Sequence, residues 1–242
     1  MKKFITIIAS ILIAFSFTKT VLADGHQVYG PYPITLKGYD GDATNSVKYT
    51  GQMARHALHD SLKALVKSGD VAKMMAYYNG EDGLGIIAPA SKGDFVIKQT
   101  MISEIGSGNL SGKMYKGAVP GWGNLTGPEV IEHMMTKAGE VEGGFDPNTG
   151  MDYTQLISKF AMGAVFYNQA VNSYLGSKME VGQKPNNKPY KDGAYYTGKE
   201  HSWDEAFGYW GSAAHALTLS AEQNYNVAKK KDMASADFNG DG

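Results

Sequence analysis

An all-α fold is what this chain predicts, and three stretches carry that prediction. Residues 45–67 repeat apolar side chains at helical spacing, residues 152–179 are apolar on several sides, and residues 199–217 are amphipathic and tryptophan-rich. At 242 residues and 43% hydrophobic the chain can bury a real core and has room for one large domain or two small ones. Net charge is −1 and Arg55 is the only arginine, so bidentate phosphate or guanine recognition has almost nothing to work with. Cysteine is absent, which excludes thiolate chemistry, iron–sulfur clusters, cysteine-ligated zinc and disulfides.

The first 23 residues read as a secretory signal. Lys2 and Lys3 precede an apolar run from Phe4 to Phe17, and Val21, Leu22 and Ala23 form a small-residue cleavage site. The run is short for a membrane span. Cleavage after Ala23 implies a periplasmic, secreted or cell-surface protein beginning near Asp24, a single domain over residues 24–242, and no integral membrane segment after processing.

Residues 24–45, rich in Gly, Pro and Asp, read as an extended lead-in whose tyrosines pack on the domain. Asp40, Asp42 and Thr44 have the spacing of early calcium ligands, but Asn45 stands where such a loop needs glycine, so a polar turn is expected. In the first helix Ala54, Leu58, Leu62 and Leu65 form the apolar stripe, leaving Arg55, His56, His59, Asp60 and Lys63 for a solvated face. Ser68, Gly69 and Asp70 stop it and cap a second helix through Met74, Met75 and Tyr78.

Residues 79–128 are too glycine-rich for a long helix and read as an ordered loop, a wall of the site that carries Trp122. Within it Phe95 to Glu104 fits a short helix or strand. Thr126, Gly127, Pro128 and Glu129 mark a helix start, followed by Val130, Ile131, Met134 and Met135, with His133 expected as a partly buried structural histidine. Residues 140–150 form a turn region. The long apolar helix beyond it offers Leu156, Phe160, Ala164, Tyr167, Val171 and Tyr174 as a stripe, and Gly163 suggests a close crossing. Its Asn168, Gln169 and Asn172 need partners if buried.

In residues 199–217, helical spacing puts Trp203, Phe207, Trp210, Ala214 and Leu217 on one face, expected to dock into the bundle. Asp204, Gly208, Gly211, Ser212 and His215 share a neighbouring face where the backbone can be approached closely. Helix is expected to continue to about residue 231. At the end, Asp237, Asn239, Asp241 and Gly242 match the opening of a calcium loop that stops before its later ligands. It reads as a truncated domain or a coincidental polar tail, and calcium would be held only were the loop completed.

Three blocks, VKYTGQMARHALHDSLKAL, QLISKFAMGAVFYNQAVNSYL and EHSWDEAFGYWG, resemble an imelysin-like family of exported bacterial proteins, domain-of-unknown-function family 4856. The run W-D-E-A-F-G-Y is the most specific. The resemblance implies an imelysin-like helical bundle, export, and an association with iron acquisition. Some imelysin-like proteins were proposed as peptidases around G-x-H-x-x-E. Here His201, Ser202, Trp203 and Asp204 offer H-x-x-D, with Glu205 one place later.

Two readings of that segment stand together. Ser202 and Glu205 fit a helix-capping box, while His201, Asp204 and Glu205 fit a metal site, iron among the candidates. Trp122, Trp203, Phe207, Tyr209, Ser212 and His215 would line the pocket. The function expected is an envelope-associated binding protein for iron, haem or a partner, with a metal-assisted hydrolase or a ligand-free scaffold as alternatives. The motifs H-E-x-x-H and G-x-S-x-G are absent, and adjacent helical carboxylates diverge by about 100°, which weighs against an enzyme.

Overall fold

The computed structural model describes residues 32–87 and 97–237. The expected signal segment lies outside those residues, as do Phe95, Asn239 and Asp241. The described part is all-α, with a two-residue hairpin as its only sheet: β1 (Phe145–Asp146) pairs antiparallel with β2 (Met151–Asp152). Among the described residues, no helix is long and apolar enough to cross a membrane.

Helix α1 (Thr50–Leu65) buries Ala54, Leu58, Leu62 and Leu65, the stripe its spacing predicts. It packs against α2 (Val71–Asn79), α3 (Ile102–Ile105), α5 (Tyr153–Ala161) and α6 (Gly198–Trp210), so it is central and its second face is not solvated. The His59 ring, 8% exposed, donates to the Ser158 carbonyl at 3.1 Å. His56 donates to the Gly208 carbonyl at 2.9 Å and stacks on Phe166, 4.4 Å between centroids. Arg55 Nε donates to the Asn109 carbonyl at 2.9 Å. The solvated-face expectation fails because an amphipathic stripe reports one buried face and cannot report a second one satisfied by carbonyls.

Local punctuation works as the sequence suggests. Gly69, at φ 66°, closes α1, and the Asp70 carboxylate accepts from Lys73 N at 2.9 Å to start α2. The described parts of the glycine-rich loop reach α1, where Ile87 N donates to the Ser61 hydroxyl at 3.1 Å. Helix α4 (Gly127–Gly139) begins in a capping box of Thr126 with Glu129 and buries Val130, Ile131, Met134, Met135 and Ala138. His133 is exposed, not partly buried, with the Trp122 ring edge-on at 5.9 Å.

Helix α5 starts on the Asp152 cap and continues without a break through Met162–Tyr174, where it widens to the i→i+5 pattern of a π-helix. That pitch alters which residues share a face. Ala161, Val165, Phe166, Ala170 and Tyr174 are buried, while Tyr167 is 60% exposed and Val171 is exposed. The stripe predicted at 3.6 residues per turn therefore breaks where the helix widens. The stretch is tied down by the loop: Tyr115 N donates to the Ala164 carbonyl at 2.8 Å, and Gln169 Nε2 to the Lys113 carbonyl at 2.9 Å. Gly163 has no atom within 4 Å of where a Cβ would stand, so no crossing occurs there.

Helix α6 turns the opposite face inward from the one expected. Ser202, Asp204, Ala206, Gly208 and Tyr209 are buried, whereas Trp203 is 51% and Trp210 71% exposed. The cause is the approach of α1: a Cβ on Gly208 would stand 2.8 Å from Tyr49 Cβ and 2.9 Å from Gln52 Cβ. Only a strip of small residues admits so close a crossing, and the indoles are displaced outward. The helix ends at Gly211, φ 76°, instead of running on; α7 (Ala221–Ala228) is a separate element.

Candidate functional site

The polar face of α6 meets the lead-in and the start of α1. Helix α6 begins three residues before His201, because Thr197 is the cap: its hydroxyl accepts from Glu200 N at 3.2 Å, and Glu200 reaches back to Thr197 N at 2.7 Å. Ser202 and Glu205 are consequently inside the helix and do not form the cap. The Ser202 hydroxyl donates to the Gly198 carbonyl at 3.0 Å, and Glu205 is left to make contacts elsewhere.

His201 stands between the two acids. Its Nδ1 is 3.3 Å from Asp204 Oδ1 and its Nε2 is 3.4 Å from Glu205 Oε2. The three residues are together as expected, but they do not converge on one point, because the imidazole separates the carboxylates. Among the described residues, no group of three or more His, Cys, Asp or Glu side chains is placed to hold an ion. The Nδ1 side is nevertheless unusual. His201 Nδ1 and Asp204 Oδ1 are both buried without a hydrogen-bond partner, close to each other but not aimed as donor and acceptor. Two ligands of one ion, at bond lengths near 2.1 Å and tetrahedral angles, stand about 3.4 Å apart. The Nδ1–Oδ1 separation of 3.3 Å is near that value, while Glu205 lies against the other ring nitrogen.

Tyrosines enclose the pair. The Tyr190 and Tyr196 ring centroids each lie 4.8 Å from that of His201, and Tyr195 stands edge-on to Tyr196. Lys48 N donates to Asp204 Oδ2. Burial is the main influence on Asp204, which is 5% exposed, and it pushes the carboxyl up to about 6 despite His201 and Lys48. Burial also raises the hydroxyls of Tyr32, Tyr195 and Tyr196, the last to about 12, and the charge of Asp204 adds to each. Three phenols thus lie within the field of one buried carboxylate.

On the other side, Glu205 Oε1 accepts from Gln52 Nε2 at 3.0 Å and from Tyr174 Oη at 3.3 Å. Lys178 Nζ sits 3.2 Å above the Tyr174 ring centre. Burial lowers Lys178 to about 8; Glu205 opposes that shift, and Lys113 and Lys184 add to it.

The expected pocket divides. Tyr209 is buried against Phe166 and Tyr174, and Phe207 packs with Tyr32 and Tyr49. Trp203 faces out, and Trp122 packs on α4 rather than α6. Ser212 and His215 lie beyond the end of α6, and the His215 ring donates to the Ser235 carbonyl at 2.8 Å. Asp237, the described part of the calcium-like motif, follows a single 3₁₀ turn. Tyr32, Tyr190, Tyr195, Tyr196 and Lys48 were not anticipated at the site. The cluster PYKDGAYYTG just ahead of α6 was the available signal, since tyrosines crowded before a helix carrying His and Asp have little room to point elsewhere.

Residues 129–240 match a family model described as Domain of unknown function (DUF4856). The match runs from the first turn of α4 through α7, including the whole of α6. No curated protein and no solved structure matches the chain.

Proposed function

We propose that this chain is an exported, envelope-associated binding protein that holds a metal ion at His201 and Asp204, with iron the metal its imelysin-like resemblance implies. One observation carries the reading: two buried ligand atoms, His201 Nδ1 and Asp204 Oδ1, face each other at 3.3 Å with no hydrogen-bond partner. Leaving a polar atom buried and unsatisfied costs about 1–3 kcal/mol, and one shared cation would relieve both. An imidazole and a carboxylate are donors that iron accepts. Export rests on residues 1–23, with their basic start, apolar run and small-residue cleavage site.

In this arrangement His201 and Asp204 hold the ion, Lys48 N and the Thr197 cap orient them, and the rings of Tyr190 and Tyr196 keep water away. Glu205 is a positioning residue: Gln52 and Tyr174 hold its Oε1, and its Oε2 lies 3.4 Å from His201 Nε2. The test is metal content after purification without chelators and incubation with ferric citrate. Stoichiometric iron is expected in the parent and in Glu205→Gln, and loss in His201→Ala and Asp204→Asn. Metal-free parent protein, or equal iron in all four, would end the reading. If these variants only lower the melting temperature, the scaffold alternative replaces it. Peptide turnover lost with the same residues would favour a metal-assisted hydrolase.

A further inference from the structure

At the other end of α1 the fold leaves a cavity of about 420 Å³ that none of the site residues lines. We propose that this cavity is a binding site for a small oxyanion, a phosphate- or carboxylate-bearing polar molecule, held by Lys63 and Lys67, with Lys230 at its edge paired to Asp60. The inference is independent of the iron reading: the two places share no residue, and along α1 eight residues, about 12 Å at 1.5 Å per residue, separate Gln52 of that site from Asp60 of the cavity.

Three lysines from two separate parts of the chain converge on the cavity, and the volume falls in the range of small-molecule sites, roughly 300–1,000 Å³. Lys63 and Lys67 come from the last turn of α1 and the 3₁₀ turn after it, and among the described residues neither has an ion-pair partner. Lys230 comes from beyond α7. Its φ of 55° is a left-handed conformation that costs energy in a residue with a Cβ, and its Nζ stands 2.5 Å from Asp60 Oδ2. Asp60 is thereby neutralised by Lys230, with His59 on its other side at 3.6 Å. Its charge does not offset Lys63 and Lys67. Asp152 is the second acid of the lining, and its carboxylate is engaged by Gln155 N at 3.1 Å as the α5 cap.

One further feature suits a ligand with polar substituents: the Gln155 side chain adds an amide to the lining. The first turn of α5 is itself met by the Asp152 cap, and the Thr154 hydroxyl is buried beneath the surface. Apart from Ala64 the lining is polar, which disfavours an apolar ligand.

The experiment is calorimetric titration of the chelator-treated full chain with inorganic phosphate and, separately, with citrate. Sodium chloride at matched ionic strength and sorbitol serve as controls. Saturable binding of either anion is expected, with the dissociation constant raised about tenfold or more in a Lys63→Ala, Lys67→Ala double variant. Unchanged binding is expected in Lys37→Ala, which removes a lysine that does not line the cavity. Binding of phosphate alone or citrate alone supports the site and identifies the oxyanion. No saturable heat from either anion, equal binding by the double variant, or binding of sorbitol alone would overturn the proposal. Unchanged unfolding curves for the double variant in the absence of anion separate lost binding from lost folding.

Discussion

Placing alanine at two glycines, both within helical backbone, should change stability in opposite directions. In an exposed helix, Gly→Ala is favourable by up to about 1 kcal/mol, because alanine restricts the unfolded chain and suits the helix. At Gly163 nothing stands within 4 Å of the new Cβ, so that gain should survive as about 0.5–1 kcal/mol. At Gly208 the Cβ would stand 2.8 Å from Tyr49 Cβ and 2.9 Å from both Gln52 Cβ and Tyr49 Cγ. Carbon atoms attract best at about 3.5–4.0 Å, so α1 and α6 would have to separate by most of an ångström. The clashing atoms sit next to the backbone and cannot swing away. Taking the upper end of the overpacking range, about 3 kcal/mol, against a propensity gain of about 1 leaves a loss near 2 kcal/mol. For a domain of this size that is a fall in melting temperature of about 4–8 °C. Urea unfolding followed by circular dichroism measures both variants. A neutral or stabilising Gly208→Ala would refute the crossing described for α1 and α6, and a destabilising Gly163→Ala would refute the open surface described at Gly163.

Asp204 makes a pH prediction of definite sign. Its folded pKa of about 6 lies above the ordinary 3.8, so the native state holds this proton more tightly than the unfolded chain does. The contribution is fully present below pH 3.8 and is lost as pH rises through 6, a decline of about 3 kcal/mol across that interval. Unfolding of the chelator-treated parent and Asp204→Asn at pH 4 and pH 7 should show the variant gaining relative to the parent as pH rises; a difference that does not change with pH would refute it. His56, lowered by burial, acts in the opposite sense in both proteins and cancels in the comparison. The outward indoles make a third prediction: Trp203→Ala and Trp210→Ala should each cost no more than about 0.5–1 kcal/mol, against the 3–5 of a core tryptophan. Acrylamide should quench most of the fluorescence these two residues contribute. Protected emission, or a core-sized loss of stability, would contradict the orientation of α6.

Much of the local structure was legible in the residues because it is decided locally. The stripe Ala54, Leu58, Leu62, Leu65 is buried along α1, Gly69 and Asp70 separate α1 from α2, and Thr126 with Glu129 starts α4. Each depends on contacts within four residues, which spacing alone specifies. The nearness of His201, Asp204 and Glu205 is of this kind too, since one helix turn brings them together. The phenols around them come from the lead-in and from the connector before α6, and no period in the sequence marks that meeting.

The sequence by itself therefore determined an all-α chain, the position of most helices and the residues of a polar turn in α6. The tertiary structure decided which way those helices face. Aromatic residues on α6 promise a larger hydrophobic gain if buried, yet Ser202, Ala206 and Gly208 offer α1 a shorter approach, and two helix axes cannot close over an indole. The same competition sets α5, where the widened pitch of Met162–Tyr174 brings Phe166, Ala170 and Tyr174 inward and leaves Tyr167 outside. Hydropathy ranks what each side chain gains from burial, but steric fit between backbones chooses which of those gains can be realised together.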